Sequence, residues 1–174
     1  MAYDIRNLQL RRAEIKDIQN ILKTEKECSL SHWSWKDYHK EINRDDSLMI
    51  VAEVENKVSG FLVARFSTGE VDIFNIGVTP THQKLGIGGR LLKYLLDKAC
   101  KMSIESIWLE VRESNANAIA FYLKKGFKQI QIRKKFYSQP VENAIVMKYA
   151  LQNSTVKSQT KLDLETNFAL KSVL

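Results

Sequence analysis

The sequence predicts an α+β fold: a mixed, mostly antiparallel central sheet with helices on both faces. Three observations carry this expectation. Apolar, β-branched runs follow one another between Leu48 and Val78, divided only by the turn signals Glu55-Asn56-Lys57 and Ser67-Thr68-Gly69. The last of them runs through Thr79-Pro80 and a glycine-rich turn into a stretch with apolar residues three and four apart, Arg90-Leu91-Leu92-Lys93-Tyr94-Leu95-Leu96. A strand, a helix and two more strands then complete the order.

Taken along the chain, Tyr3 to Leu10 reads as a short first strand. Ile15, Ile18, Ile21 and Leu22 share one helical face across Ala13 to Cys28. Ser34 is an N-cap for a second, short helix through Trp35, Tyr38 and Ile42, because its hydroxyl can accept a free first-turn N–H. Leu48–Val54 and Val58–Phe66 form a hairpin, and a third strand reaches Val78. The long helix spans Gly86 to Met102, and Ser106 to Val111 is the next strand. A helix from Ala116 to Lys125 stops at Gly126, which tolerates the left-handed conformation at a helix end. Phe127–Ile132 and Ala144–Leu151 are the final strands, flanking a basic loop with Tyr137 and Pro140. Beyond Leu151 the chain turns polar and aperiodic, so residues 1–151 are expected to form the domain and 152–174 a polar linker and tail, disordered or ending in a short helix from Leu162.

A chain of 174 residues suits one well-buried domain, and 44% hydrophobic with 27% charged residues is ordinary for a globular protein. The net charge of +7 favours anionic partners such as phosphates, RNA or the ribosome surface. The densest basic cluster, Lys124 to Lys135, lacks the aromatic interleaving of a stacking platform, so specific nucleic-acid binding is not expected. Cys28 and Cys100 lie far apart and the three histidines are dispersed, which gives neither a metal signature nor a disulfide framework. Without a signal core or an apolar run of spanning length, a cytoplasmic location with no membrane partner is expected.

The chemistry-bearing stretch is Gln83-Lys84-Leu85-Gly86-Ile87-Gly88-Gly89, set between the strand Val71–Val78 and the long helix. Strand, glycine-rich turn and helix together aim free N–H groups and a helix N-terminus at an anion, and glycine lets a phosphate come close to the backbone. No Gly-Lys-Ser/Thr follows, and the spacing is not Gly-x-Gly-x-x-Gly, which excludes a Walker loop and a dinucleotide fingerprint. A glycine cluster alone marks a tight turn as readily as a cradle. Its place directly after a strand and Thr-Pro is what resembles the coenzyme A pyrophosphate loop of the GNAT N-acetyltransferases. A second segment, Trp108 to Phe127, together with Phe74-Asn75-Ile76-Gly77-Val78, is similar to the bacterial ribosomal-protein alanine N-acetyltransferase subgroup. The similarity runs from about Leu8 to Leu151.

That resemblance implies acetyl-CoA as co-substrate and no metal. By it, Ile76, Gly77 and Val78 bind the cofactor through backbone groups, Lys84, Leu85, Gly86, Ile87, Gly88 and Gly89 cradle its pyrophosphate, and Asn115 adds a contact. Glu110 is implied as general base and Tyr122 as general acid. Gly89 departs from relatives that often carry Arg there. In an arbitrary protein a Glu near a strand end is a solvated charge, and a Tyr at helical spacing with Ile119 is core. The chemistry nonetheless asks for both types, since a terminal ammonium must lose a proton before it attacks and a departing thiolate must gain one. Trp33, Trp35 and Tyr137 fit an acceptor groove and core packing equally and stay outside the candidate set. The implied acceptor is the N-terminal alanine of a small-subunit ribosomal protein, with transient ribosome contact through the basic surface. Lysine side chains, polyamines or aminoglycosides are the alternative acceptors, and a non-catalytic acetyl-CoA sensor or ribosome-binding module is the alternative of another class. Keeping both an acid and a base argues against the last.

Overall fold

The computed structural model describes residues 7–30 and 33–151. The expected tail and the opening residues of the expected first strand lie outside them. Seven strands form one sheet in the order β1-β2-β3-β4-β5-β7-β6. These are β1 (Gln9–Arg12), β2 (Ser47–Val54), β3 (Lys57–Ser67), β4 (Glu70–Val78), β5 (Ser106–Arg112), β6 (Lys128–Ser138) and β7 (Val141–Ala150). The helices are α1 (Ile18–Glu27), α2 (Trp35–Ile42), α3 (Ile87–Lys101) and α4 (Ala116–Lys124). Every neighbouring pair is antiparallel except β4 and β5.

Strand alternation builds two cores. Leu48, Ile50, Ala52 and Leu62 point to one face and pack with Leu91, Leu92 and Leu95 of α3, Ile107, Leu109 and Val111 of β5, and Tyr122 of α4. Met49, Val51, Phe61 and Val63 point to the other, under Ile18 and Ile21 of α1 and Tyr38 of α2. The helices on this second face pack chiefly on β2, β3 and β4. Beyond β4, that face carries an open groove of about 310 Å³ lined by Asp72, Trp108, Glu110 and Arg133.

The elements depart from the sequence expectation in three places. The first strand lies further along, at Gln9–Arg12, paired with Glu53 back to Ile50. Arg11 looks like a loop residue in sequence but is held there by Asp17 and Glu53. The first helix begins with a 3-10 turn, Ile15–Asp17, because Asp17 accepts the Glu14 N–H at 2.8 Å and folds the chain back on itself. The expected basic loop after Ile132 is instead the continuation of β6 through Tyr137, with a register shift between Arg133 and Tyr137. On an exposed edge strand charged side chains cost nothing to solvate, so Arg133-Lys134-Lys135 does not end the strand. The second helix is as expected: Ser34 and Asp37 form a reciprocal capping box.

Candidate active site

The parallel pair β4–β5 is in register only from Glu70–Ile73 against Ser106–Leu109. Past those residues both strands continue without pairing, to Val78 and to Arg112, and the sheet opens between them. The edge that β4 presents to this opening follows from its ladder with β3. Thr79 N–H donates to Ser59 O at 2.9 Å, and Thr79–Ser59 continues the register Val78↔Gly60 and Gly77↔Phe61. Hydrogen-bonded and non-hydrogen-bonded pairs alternate in an antiparallel ladder, so Gly77 is turned toward β3 while Ile76 and Val78 aim their N–H and C=O groups into the opening. The Val78 carbonyl is already taken there, accepting from Cys28 Sγ and from Gln83 Nε2, each at 3.1 Å.

A cavity of about 90 Å³ fills the opening, lined among others by Asn75, Ile76, Glu110, Asn115, Tyr122 and Tyr137. Glu110 and Tyr122 reach it from opposite faces of the sheet. Along β5, Ile107, Leu109 and Val111 are buried in the α3/α4 core, so alternation places Trp108, Glu110 and Arg112 on the grooved face. Tyr122 belongs to the α3/α4 core and is 5% exposed. Its hydroxyl has no partner among the described residues, yet no buried polar side-chain atom there lacks one, so the oxygen opens onto the cavity. Burial, and to a lesser degree the neighbouring Tyr137, pushes the Tyr122 phenol above its usual range, which keeps it protonated.

Glu110 is half-buried and ion-paired through Oε1 with Arg133 of β6; Oε2 has no partner among the described residues. Periodicity does not reveal this partner, because Arg133 follows the last apolar residue of its run, Ile132, and reads as part of the basic loop. Tyr137 lies under the Arg112 guanidinium, 4.1 Å from the ring centre, and burial raises its phenol as well. Asn115 sits at the cavity, but its Oδ1 caps α4 by accepting the Ala118 N–H at 3.1 Å, leaving only its amide N–H groups for anything else. Trp33 packs tilted on Tyr38 and Phe74, while Trp35 stacks on His39.

One buried cluster holds the cavity wall. Tyr38 donates to Glu25 Oε1 at 2.8 Å, Asn75 Nδ2 approaches the same oxygen and the Tyr38 hydroxyl, and the Trp33 N–H donates to Glu25 at 3.1 Å. This ties α1, α2 and the segment between them to β4 beside the opening. The signal was present in sequence: Glu25 falls seven residues after Ile18 and four after Ile21, on the apolar stripe of α1.

The glycine-rich turn leads into α3 from outside the cavity. Gly86 is its N-cap at φ 87°, in the left-handed region, and no side chain caps the helix or places an acid in its first turn. The first-turn N–H groups therefore have no intrahelical partner and sit at the positive end of a 15-residue helix. A Cβ on Gly88 would meet only Val78 and Phe121, at 3.7 and 3.8 Å, which is ordinary contact. Packing thus does not require glycine at 88, whereas a Cβ on Gly77 would lie 2.9 Å from Phe61. The bare surface at Gly88 fits an outside ligand such as a phosphate. Among the described residues there is no cluster of three or more metal-ligating side chains, and no helix is long and apolar enough to cross a membrane.

Comparison with known proteins agrees with this architecture. The model of the acetyltransferase (GNAT) family matches residues 15–127. The chain is 33% identical over 138 residues to a [ribosomal protein bS18]-alanine N-acetyltransferase of Haemophilus influenzae, covering 77% of this chain and 92% of that one. It is 40% identical over 93 residues to the Escherichia coli protein of the same name, covering 52% of this chain and 63% of that one. Among solved structures, the ribosomal-protein-S18-alanine N-acetyltransferase of Escherichia coli superposes with a TM-score of 0.76 at 30% identity, over 83% of this chain and 94% of that one. Ard1 from Thermoplasma volcanium gives the same TM-score at 26% identity, over 83% and 98%.

Proposed function

The chain belongs to the GNAT acetyltransferase family, and on that premise we propose that it acetylates a protein N-terminal α-amine, the acceptor being the N-terminal alanine of a small-subunit ribosomal protein. The names of its relatives support this acceptor. The observation that carries the chemistry is the opening between β4 and β5, where a carboxylate from one sheet face and a phenol from the other line one cavity.

Acetyl-CoA supplies the acetyl group as a thioester. Glu110, on the grooved face where the acceptor has room, takes the proton of the α-ammonium through its unpaired Oε2, directly or through one water. Arg133 holds the other oxygen and keeps the carboxylate turned toward the groove. The Val78 N–H, aimed into the opening, donates to the carbonyl oxygen as charge builds there, and the Ile76 N–H positions the chain of the cofactor. As the new C–N bond forms and the C–S bond breaks, Tyr122 gives its proton to the departing sulfur, the attacking nitrogen loses its second proton to solvent, and solvent returns a proton to the Tyr122 phenolate. Its raised phenol keeps that proton available throughout the neutral range. Lys84 to Gly89 and the α3 N-terminus hold the pyrophosphate, and Asn115 offers an amide donor. No covalent enzyme intermediate is needed.

The test is an acceptor screen with acetyl-CoA: intact ribosomal protein bS18, its N-terminal peptide, the same peptide blocked at its amine, and a polyamine, each read by mass spectrometry. Acetyl on the α-amine of the first two and none on the blocked peptide is expected. Transfer only to lysine or polyamine would overturn the acceptor assignment. Binding of acetyl-CoA with no transfer to any acceptor would favour a sensing module.

A further inference from the structure

We propose that Lys125, from the end of α4, is a phosphate-binding residue of the acetyl-CoA site, its ammonium taking the space that a side chain at Gly89 would fill. This rests on the reading of the glycine-rich turn as the pyrophosphate cradle and adds to it a residue distant in sequence. A Cβ built on Gly89, the third residue of α3, would lie 3.3 Å from Lys125 Nζ and 3.6 Å from its Cε. The lysine therefore lies directly against the first turn of α3.

Alone, this is an unfavourable place for a cation. The N-terminus of α3 is the positive end of its dipole, without an acidic residue in the first turn and without a side-chain cap. Lys125 is the C-cap residue of α4, where an ammonium would normally turn back to the exposed carbonyls of its own helix. Instead its side chain leaves that negative end and reaches toward another helix's positive one. Among the described residues no carboxylate pairs with it, and its nearest aromatic support is Phe121, 6.0 Å from the ring centre. Two positive features facing one another are reconciled by an anion between them. The same Phe121 ring borders the bare surface of Gly88. Gly88, Gly89, Phe121 and Lys125 thus form one wall, with free N–H groups on one side and an ammonium on the other. A pyrophosphate oxygen lying against the α3 N-terminus would accept from both.

The test compares binding, by calorimetry, of coenzyme A, of dephospho-coenzyme A lacking the 3′-phosphate, and of pantetheine lacking all phosphates. Lys125→Met keeps the length of the chain and removes the charge. It should weaken the first two by the same factor, roughly tenfold for one partly exposed charge-assisted contact, with a shallower salt dependence. Pantetheine binding should be unchanged. Lys125→Arg should bind nearly as wild type, and Gly89→Lys in the Lys125→Met background should restore most of the affinity, because the two positions share one space. Thermal melting of each variant separates lost binding from lost fold. Undiminished coenzyme A affinity in a folded Lys125→Met protein overturns the proposal. So does a loss seen with coenzyme A and absent with dephospho-coenzyme A, which would put the lysine on the 3′-phosphate. If wild type binds neither nucleotide, the cradle reading itself fails, a result distinct from either of these.

Discussion

Glu110 and Tyr122 differ in how pH acts on their loss. Glu110→Gln should lower turnover of an N-terminal peptide by roughly 10²–10⁴-fold, the range for a positioned base. That deficit should shrink as pH rises through about 8, because solvent then deprotonates more of the acceptor amine. Tyr122→Phe keeps the ring in the α3/α4 core and removes only the hydroxyl that opens onto the cavity, so melting should be unchanged while turnover falls. High pH should not rescue it. The wild-type phenol is raised by burial first and by Tyr137 second, so its neutral, donating form persists to higher pH than that of a free tyrosine. An alkaline limb of turnover due to Tyr122 must then lie above about pH 10. A pH-independent Glu110→Gln deficit, or full turnover in Tyr122→Phe, would show that the roles are misassigned. Resemblance singles out both residues as candidates in the sequence, while their surroundings are not legible there. Arg133 on Glu110 is a contact between β5 and β6 separated by 23 residues, and no periodicity encodes such a pairing.

At the scale of elements, the N-terminus of α3 makes the glycines distinguishable. Gly86 needs glycine for conformation, since its φ of 87° lies where a side chain is strained. Gly86→Val should therefore lower both thermal stability and acetyl-CoA affinity. Gly88 has no such need: a single Cβ there meets Val78 and Phe121 only at ordinary contact distance. Gly88→Ala should keep or raise the melting temperature, alanine being favoured over glycine inside a helix by about 1 kcal/mol, yet weaken acetyl-CoA binding measured by calorimetry. Unchanged affinity would mean that no ligand approaches Gly88. The junction of β1 and α1 gives a stability test. Burial opposes ionisation of Asp17, but hydrogen bonds from Arg11 and from the Glu14 N–H outweigh it and hold the carboxyl below its usual range. A depressed folded-state value stabilises above the unfolded value of about 4 and loses that contribution as pH falls through the folded one. Asp17→Ala should thus cost about 2 kcal/mol at pH 7 in urea unfolding, with a gap to wild type that narrows below pH 4; a gap constant with pH would remove Asp17 from the acid response. The same ion pairs explain why the end of β1 is not legible in sequence. Apolar periodicity sees Leu8 and Leu10, whereas Arg11 and Arg12 join the strand through partners at 17, 47 and 53. The runs between Leu48 and Val78 were legible because each buries one or both faces, and buried faces leave a pattern.

The whole molecule depends on a feature that no single element carries: a sheet continuous at Glu70–Ile73 and open above it. Strand types and their order are legible in sequence; how far the parallel pair made by the α3 crossover stays together is not, because that depends on the angle at which β5 enters the sheet between β4 and β7. Leu151, the last described residue, is tied to the sheet by its N–H, which donates to Glu105 O at 2.8 Å. Residues 152–174 hold Lys157, Lys161 and Lys171 against Asp163 and Glu165, so all but one of the seven net positive charges belong to residues 1–151. A chain ending at Gln152 should therefore melt at the same temperature as the full chain, bind acetyl-CoA equally and acetylate a short N-terminal peptide at nearly the same rate. It should also keep the salt dependence of any ribosome contact, since the basic surface stays with the domain. Activity on the peptide and on an intact ribosomal protein, each measured across a salt series for both lengths, decides it. Loss of acetyl-CoA binding on truncation would place the last 22 residues within the folded core. A deficit confined to the intact protein, and steepest at low salt, would instead make the tail a docking element whose three lysines act where the domain's own charges do not reach.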